Sequence, residues 1–244
     1  MRNIAVGLVT AVVLVCIAVL MPGTIPPVVR DGLGIGPSPL GQAPRVTGNG
    51  SYTFLQHQPG DKNSPVTYNP CEAIQVEINP EGVDDEDQAR DIVLSAMKHV
   101  STATGLRLEY AGPSDDRPQW RSRTEPVLGR SDPVLISFAT SDEVSELEGQ
   151  VAGVGGSASV QRHGVRTYVT GQVTLDIDTF DDLVDESGGP EVARAIAMHE
   201  LGHLVGLAHV DDERELMDAQ NHGQVDFGPG DRRGLARLGS GPCA

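Results

Sequence analysis

Residues 199–209 constrain the fold of this chain more than any other stretch, because they follow the pattern H-E-x-x-H-x-x-G-x-x-H. Five fixed positions would match this pattern by chance in a chain of 244 residues with odds of about 10⁻⁴. His199 and His203 are four residues apart, so on a helix both imidazoles project from one face. Gly206 can adopt a left-handed backbone conformation without a Cβ penalty, which predicts that the helix ends there. The chain can then turn back and bring His209 beside the other two rings.

Three imidazoles in this arrangement suit three corners of a zinc tetrahedron and leave the fourth for water, which is typical of a catalytic zinc site. Glu200 follows the first histidine and would take a proton from the zinc-bound water, whose pKa the metal lowers towards ~7. The hydroxide would attack a peptide carbonyl, and Glu200 would pass the proton to the leaving amine. Two plainer interpretations stay open: histidines that are only packed in the core, and a zinc-binding relative without activity. The second would usually lack the glutamate, which is present here.

With this motif the sequence resembles the metzincin clan of zinc peptidases and, within it, the matrixin-like peptidases, in particular the predicted secreted matrixin-type peptidases of actinobacteria. Met217 lies eight residues after His209, a short spacing that matches the clan's Met-turn. The resemblance covers roughly residues 70–240. It implies a zinc-dependent endopeptidase with one catalytic Zn²⁺ on the three histidines, Glu200 as the base, and Met217 as a packing residue beneath the site.

Three departures from the matrixin pattern limit what the resemblance implies. Val210 follows the third histidine where matrixins usually have serine, and Asp218 follows the methionine where they usually have tyrosine. That tyrosine helps shape a specificity pocket, so substrate preference is not carried over. Only His163 lies where matrixins hold a structural zinc, so we predict no second zinc. Asp176 and Asp178 could help to bind Ca²⁺, although solvated turn acids are the plainer interpretation.

Two cysteines lie outside the N-terminal apolar run, Cys71 and Cys243. In an oxidising compartment they are expected to form a disulfide between the entrance to the first full strand and the C-terminus. The alternative is that Cys71 is a latency cysteine occupying the open zinc position, as in matrixin propeptides. The surrounding residues lack that family's P-R-C-G-x-P-D context.

Residues 4–21 are uncharged and largely apolar, and Arg2 precedes them. As a helix this segment would be roughly 27 Å long, just short of the hydrocarbon core of a bilayer. It is either a signal-anchor or a cleavable signal peptide, and no A-x-A pattern follows it. Either form puts the rest of the chain outside the cytoplasm, membrane-anchored or secreted. Residues 22–50 are rich in proline and glycine and are expected to be a linker to a peptidase domain at residues 51–244.

The charge balance bears on partners. The chain has 18 basic and 34 acidic residues, and residues 51–244 carry 15 against 33, a net charge of −18. This balance argues against nucleic acid, whose binding depends on Lys and Arg neutralising phosphates. The expected partners are a protein or peptide substrate and, if the N-terminal segment is retained, a membrane; the expected form is a monomer. The rival function is a surface-anchored, zinc-containing binding module without peptidase activity.

The remaining pattern predicts an α/β (α+β) fold. Strands are predicted at residues 52–55, 73–78, 106–110, 134–139, 151–160 and 166–177. Helices are predicted at residues 84–104, 190–205 and 231–238. One early helix between strands indicates an α/β sandwich. The metzincin resemblance adds a mixed twisted sheet whose antiparallel edge strand binds extended substrate by strand addition, and the glycine-rich segment 151–160 is the candidate.

Overall fold

A computed structural model describes residues 37–120, 132–220 and 222–243. Residues 39–244 form one compact unit, whose described part carries the elements below. Residues 39–50, at the end of the expected linker, belong to this unit. The expected signal or anchor segment, residues 4–21, lies outside the described residues. Within the described ranges, no helix has the length and apolar character needed to span a bilayer.

The elements alternate strands and helices along the chain. The strands are β1 (Thr53–Phe54), β2 (His57–Gln58), β3 (Asp61–Pro65), β4 (Thr67–Tyr68), β5 (Ile74–Asn79), β6 (Leu108–Pro113), β7 (Val134–Ala139), β8 (Gly153–Arg162), β9 (Val165–Asp176) and β10 (Leu207–Ala208). The helices are α1 (Glu86–Thr104), α2 (Ile177–Val184), α3 (Gly189–Val205) and α4 (Pro229–Leu238), with a 3₁₀ turn at Ser145–Leu147.

A six-stranded mixed sheet forms the centre of the unit. Its order is β4-β9-β7-β5-β6, and β8 also pairs with β9. The pairs along this path are parallel, whereas β8 is antiparallel to β9 along its whole length. Within the described residues no strand pairs with the outer side of β8. The predicted mixed sheet with an antiparallel edge strand is therefore confirmed, and β8 includes most of the glycine-rich segment.

The early helix α1 is also confirmed, two residues shorter at its start than predicted. Asp85 caps it by accepting a hydrogen bond from Gln88 N at 2.9 Å, and Gly105 ends it with a φ of 77°. Its apolar stripe, including Ile92 and Val100, is buried in the main core together with residues of α3 and the sheet. Local caps and periodicity thus determine this helix.

Helix α2 was not predicted. The Asp176 carboxylate caps its start and accepts from Thr179 N at 2.9 Å and Thr179 Oγ1 at 2.7 Å. Phe180 then packs edge-on against Phe138, with ring centroids 5.0 Å apart. Asp176 therefore serves as a helix cap, and Asp178 is exposed in the first turn. Ca²⁺ binding at these two acids stays a prediction.

The disulfide between Cys71 and Cys243 is confirmed. It joins residues 172 positions apart, just before β5 and after α4. A cross-link over so long a loop stabilises the fold mainly by restricting the unfolded chain. Because both sulfur atoms are bonded to each other, Cys71 is not available as a latency ligand.

Candidate metal centre

Helix α3 carries the first half of the motif and ends where the sequence predicts. Gly206 has a φ of 121°, and its N–H donates to the carbonyls of Gly202 at 3.1 Å and His203 at 3.0 Å. A Cβ at Gly206 would lie 3.2 Å from the Tyr168 ring. Both the positive φ and the lack of space favour glycine at this position. The turn sends the chain into β10 and back towards the helix.

The three motif histidines converge through their Nε2 atoms. His209 Nε2 lies 3.0 Å from His199 Nε2 and 3.0 Å from His203 Nε2. His199 Nδ1 lies 2.7 Å from the carbonyl oxygen of Leu216, and His203 Nδ1 lies 2.8 Å from that of Leu207. A carbonyl can only accept, so each Nδ1 carries the proton and donates it. In the neutral rings of His199 and His203, Nε2 is left with its lone pair directed to the common point.

This donor set fits a zinc ion. His209 Nε2–H could satisfy one neighbouring lone pair but not both, whereas a cation between the three nitrogens satisfies all of them. Nitrogen ligands at 2.0–2.1 Å from a tetrahedral Zn²⁺ are roughly 3.3 Å from one another, close to the 3.0 Å separations here. Among the described residues these three form the sole group of at least three His, Cys, Asp or Glu ligand atoms within 4.8 Å of one another. Calcium prefers oxygen ligands and does not fit this set.

Burial lowers the pKa of the two helical histidines, which keeps their rings neutral, and raises the pKa of Glu200. It lowers the pKa of His199 to about 3 and that of His203 to about 4, with the neighbouring rings adding to the shift for His199. Burial alone raises the pKa of Glu200, which is 7 % exposed, to about 8. Neutral imidazoles are the ligand form, and a carboxylate with high proton affinity suits a base.

The edge strand β8 crosses directly over Glu200. A Cβ at Gly153 would lie 2.8 Å from Glu200 Cγ, and one at Gly155 would overlap the backbone oxygen of Glu200. Further along the strand, Ser157 Oγ donates to the carbonyl of Leu204 at 2.7 Å. The glycines therefore let the edge strand approach α3 at Glu200, which explains the glycine-rich composition of this segment.

Met217 packs against helix α3 at Gly202. It is 1 % exposed, and a Cβ at Gly202 would lie 2.7 Å from its Sδ. Its carbonyl accepts from Val210 N at 3.0 Å, which joins the segment after His209 to the Met-turn. The neighbouring residue, Leu216, provides the carbonyl that holds His199.

Two buried carboxylates, neither predicted from the sequence, brace the Met-turn. Glu215 Oε2 accepts from Gly230 N at 2.8 Å and Asp231 N at 2.9 Å. Asp231 Oδ2 accepts from Leu216 N at 2.6 Å and Gly228 N at 3.0 Å. Burial raises the pKa of Asp231 to about 6. A signal for Asp231 existed, because an acid in the first turn after Pro229 is typical of a helix start.

Asp218, where the chain departs from matrixins, braces the loop that carries His209. Its Oδ2 accepts from Asp212 N at 3.1 Å, and its Oδ1 accepts from Gln220 N at 2.8 Å. Burial lowers the pKa of His209, and the Asp218 charge opposes that shift. His163 lies in the turn between β8 and β9 with a φ of 51°.

Comparison with known proteins gives one family similarity and one structural similarity. The family model described as matrixin matches residues 127–238. A search of curated proteins found no match. Among solved structures, archaemetzincin from Methanopyrus kandleri matches with 14 % identity and a TM-score of 0.46, over 68 % of this chain and 95 % of that one. Over residues 127–238 the chain is similar to matrixins, and its three converging histidines fit the zinc site of a metzincin-type metallopeptidase.

Proposed function

We propose that the chain is an endopeptidase that works outside the cytoplasm and cleaves protein or peptide substrates with a water activated by Glu200. The observation that carries this proposal is the convergence of three histidine Nε2 atoms next to a buried glutamate, under a sheet edge that no other described strand pairs with. Each part alone has a structural explanation. Together they supply a metal site, a base and a place for an extended peptide.

The residues divide the chemistry among them. His199, His203 and His209 would hold the zinc, which when bound supplies a Lewis acid and lowers the pKa of a water at the open position. Glu200 accepts the proton of the attacking water and returns it to the leaving amine. Its burial excludes solvent and raises its proton affinity, so both transfers take place at a group matched to neutral pH.

The substrate is proposed to bind as an additional strand on β8. The outer backbone groups of an edge strand are available for such pairing, and a peptide added there would pass beside Glu200. Successive side chains of the peptide would point to alternate faces of the sheet. Cleavage within a long extended segment is what an endopeptidase requires.

An extracytoplasmic location is supported by the disulfide, which persists in oxidising compartments. The apolar segment at residues 4–21 is proposed to direct export and, if retained, to anchor the chain in a membrane. The net charge of −18 on residues 51–244 is unfavourable for nucleic acid, and the chain is proposed to act as a monomer.

Replacing the base tests this proposal. In the full-length, zinc-loaded chain, Glu200→Gln is expected to lower the cleavage rate of an unfolded protein substrate by about 10²–10⁴-fold with zinc content unchanged. His209→Ala serves as the matched ligand variant and should lose bound zinc as well as activity. An unchanged rate in Glu200→Gln would overturn the assignment of the base. If the zinc-loaded wild type cleaves nothing, the binding-module alternative is favoured instead.

A further inference from the structure

The two faces of β8 have different neighbours. Gly155 faces α3, where a Cβ would overlap the backbone oxygen of Glu200. Gly156 points to the opposite face, as strand alternation requires, and a Cβ there would lie 3.6 Å from Cζ3 of Trp120. A peptide paired with β8 would therefore place alternate side chains on the zinc face and on the Trp120 face.

Trp120 is fixed on this second face. Its Nε1–H donates to Thr174 Oγ1 at 3.2 Å, and its ring packs on a small apolar cluster that includes Val144 and Val154. The half-buried indole forms one wall of a cavity of about 340 Å³ that also includes Glu143 and Glu146. The cavity thus combines an aromatic wall with acidic groups next to the free strand edge.

The described charged groups around this cavity are mostly acidic. Glu143 forms an ion pair with Arg117, whose guanidinium also contacts Glu81 at 3.3 Å. Glu146, in the 3₁₀ turn, is exposed and lines the cavity. Among the described residues, these three carboxylates against one guanidinium give a net charge of −2. A cation is the complementary ligand for a negative cavity with an aromatic wall.

We propose that the Trp120–Glu146 cavity is a substrate subsite for an Arg or Lys side chain. This inference rests on the proposed binding of substrate along β8. A residue opposite Gly156 on an added strand would have its Cβ about 4.5–5.5 Å away, on the Trp120 face. From there a long basic side chain lays its apolar stem along the indole and brings its charge to the Glu146 carboxylate. The subsite makes the peptidase select a basic residue close to the cleaved bond.

Trp120 is the sole tryptophan of the chain, so its fluorescence reports on this cavity directly. The test uses full-length, zinc-loaded Glu200→Gln protein and Thr/Val-rich decapeptides that carry one Arg or, as the neutral analogue, citrulline at each position in turn. At one position we expect the Arg peptide to change the fluorescence and to bind about threefold to fivefold more tightly than the citrulline peptide. Glu146→Gln should remove this preference. Glu148→Gln, an exposed carboxylate outside the cavity lining, should retain it.

Hydrolysis provides the second measurement. With the unmodified active site, kcat/KM for the Arg peptides should exceed that for the citrulline peptides by a similar factor, and Glu146→Gln should equalise the two. Equal binding of Arg and citrulline peptides at every position, or an Arg preference that survives Glu146→Gln, would overturn the subsite. If the Arg-dependent fluorescence change is seen but no peptide is cleaved, the proposed hydrolysis fails and the subsite stands.

Discussion

The zinc site has a helix-borne half and a loop-borne half, and the two are built differently. His199, Glu200 and His203 are placed by the periodicity of α3 alone. His209 and Met217 lie on a loop whose path depends on residues beyond the motif. The nearby sequence is therefore enough to identify the zinc ligands, whereas the orientation of their side chains depends on residues elsewhere in the chain.

The connection between the halves runs through backbone carbonyls. Asp231 Oδ2 accepts from Leu216 N, and the carbonyl of Leu216 accepts from His199 Nδ1. The carbonyl of Leu207, just past the helix end, holds His203 in the same way. Each helical histidine is thus oriented by the loop, which makes the loop half a positioning device for the helix half.

Substitution of Gly155 by alanine should have the largest effect, because it disrupts the helix half. The new Cβ would overlap the backbone oxygen of Glu200, and backbone cannot rotate away as a side chain can. We expect the free energy of unfolding to fall by more than about 3 kcal/mol in urea titrations. Gly156→Ala, on the Trp120 face where a Cβ meets only ordinary contact, is the control and should change it by less than about 1 kcal/mol. If both variants lower the free energy of unfolding equally, the close packing of β8 at Gly155 against α3 is contradicted.

Asp231→Asn tests whether the buried carboxylate in the loop half makes the stability of the fold depend on pH. The pKa of Asp231 in the fold, about 6, is above its ordinary value of 3.8, because burial disfavours its charge. The native state therefore binds the proton more tightly, so this stabilising contribution is complete below pH ~4 and is lost as the pH rises through about 6. It amounts to about 2–3 kcal/mol. In chelator-treated protein, Asp231→Asn should gain that much stability over wild type between pH 4 and pH 7.

The control for this pH experiment is Asp226→Asn, which changes an exposed carboxylate paired with Arg232. Its unfolding free energy should run parallel to that of wild type over this pH range. If the unfolding free energy of Asp231→Asn also stays parallel to that of wild type across this pH range, Asp231 does not titrate with a raised pKa in the loop half.

Asp218→Ala should have the smallest effect, confined to the arm that carries His209. It removes the acceptor for Asp212 N and Gln220 N, which loosens the loop without touching the helix. Zinc affinity, measured by competition with a chelator, should fall about tenfold, equivalent to ~1.4 kcal/mol. Asp218→Asn keeps one acceptor oxygen, so its zinc affinity should fall less. The zinc affinity of Asp211→Asn, a variant of an exposed neighbouring residue, should equal that of wild type. Unchanged affinity in Asp218→Ala would place the control of His209 elsewhere.

The same contrast explains how far the sequence could predict the structure. The helix half follows from residue spacing and from the glycine at its end, and the early helix from its caps and apolar stripe. Glu215 and Asp231 could not be identified as buried, since their burial depends on distant segments meeting at Gly228 and Gly230. Residues 39–50 also lack periodicity, and their attachment uses close backbone approaches such as that of Gly41 to Gly105.

Helix α2 differs from these cases because its signal was present. Asp176 precedes apolar residues at Ile177, Phe180 and Val184, a helical spacing that follows an alternating strand without a break. The strand pattern was extended across the cap, so the boundary was missed. Trp120 and Glu146 had no local pattern at all, because the cavity between them exists only once the 3₁₀ turn folds beside β8.

The fixed tautomers of His199 and His203 determine how many protons these two rings release when zinc binds. Both rings already hold their proton on Nδ1, and burial keeps their pKa values at about 3 and about 4. At neutral pH the zinc-free protein therefore has no proton to expel from these two Nε2 atoms. The heat that they contribute to zinc binding is independent of the ionisation enthalpy of the buffer, so calorimetry in different buffers isolates the protons that come from His209, water and Glu200.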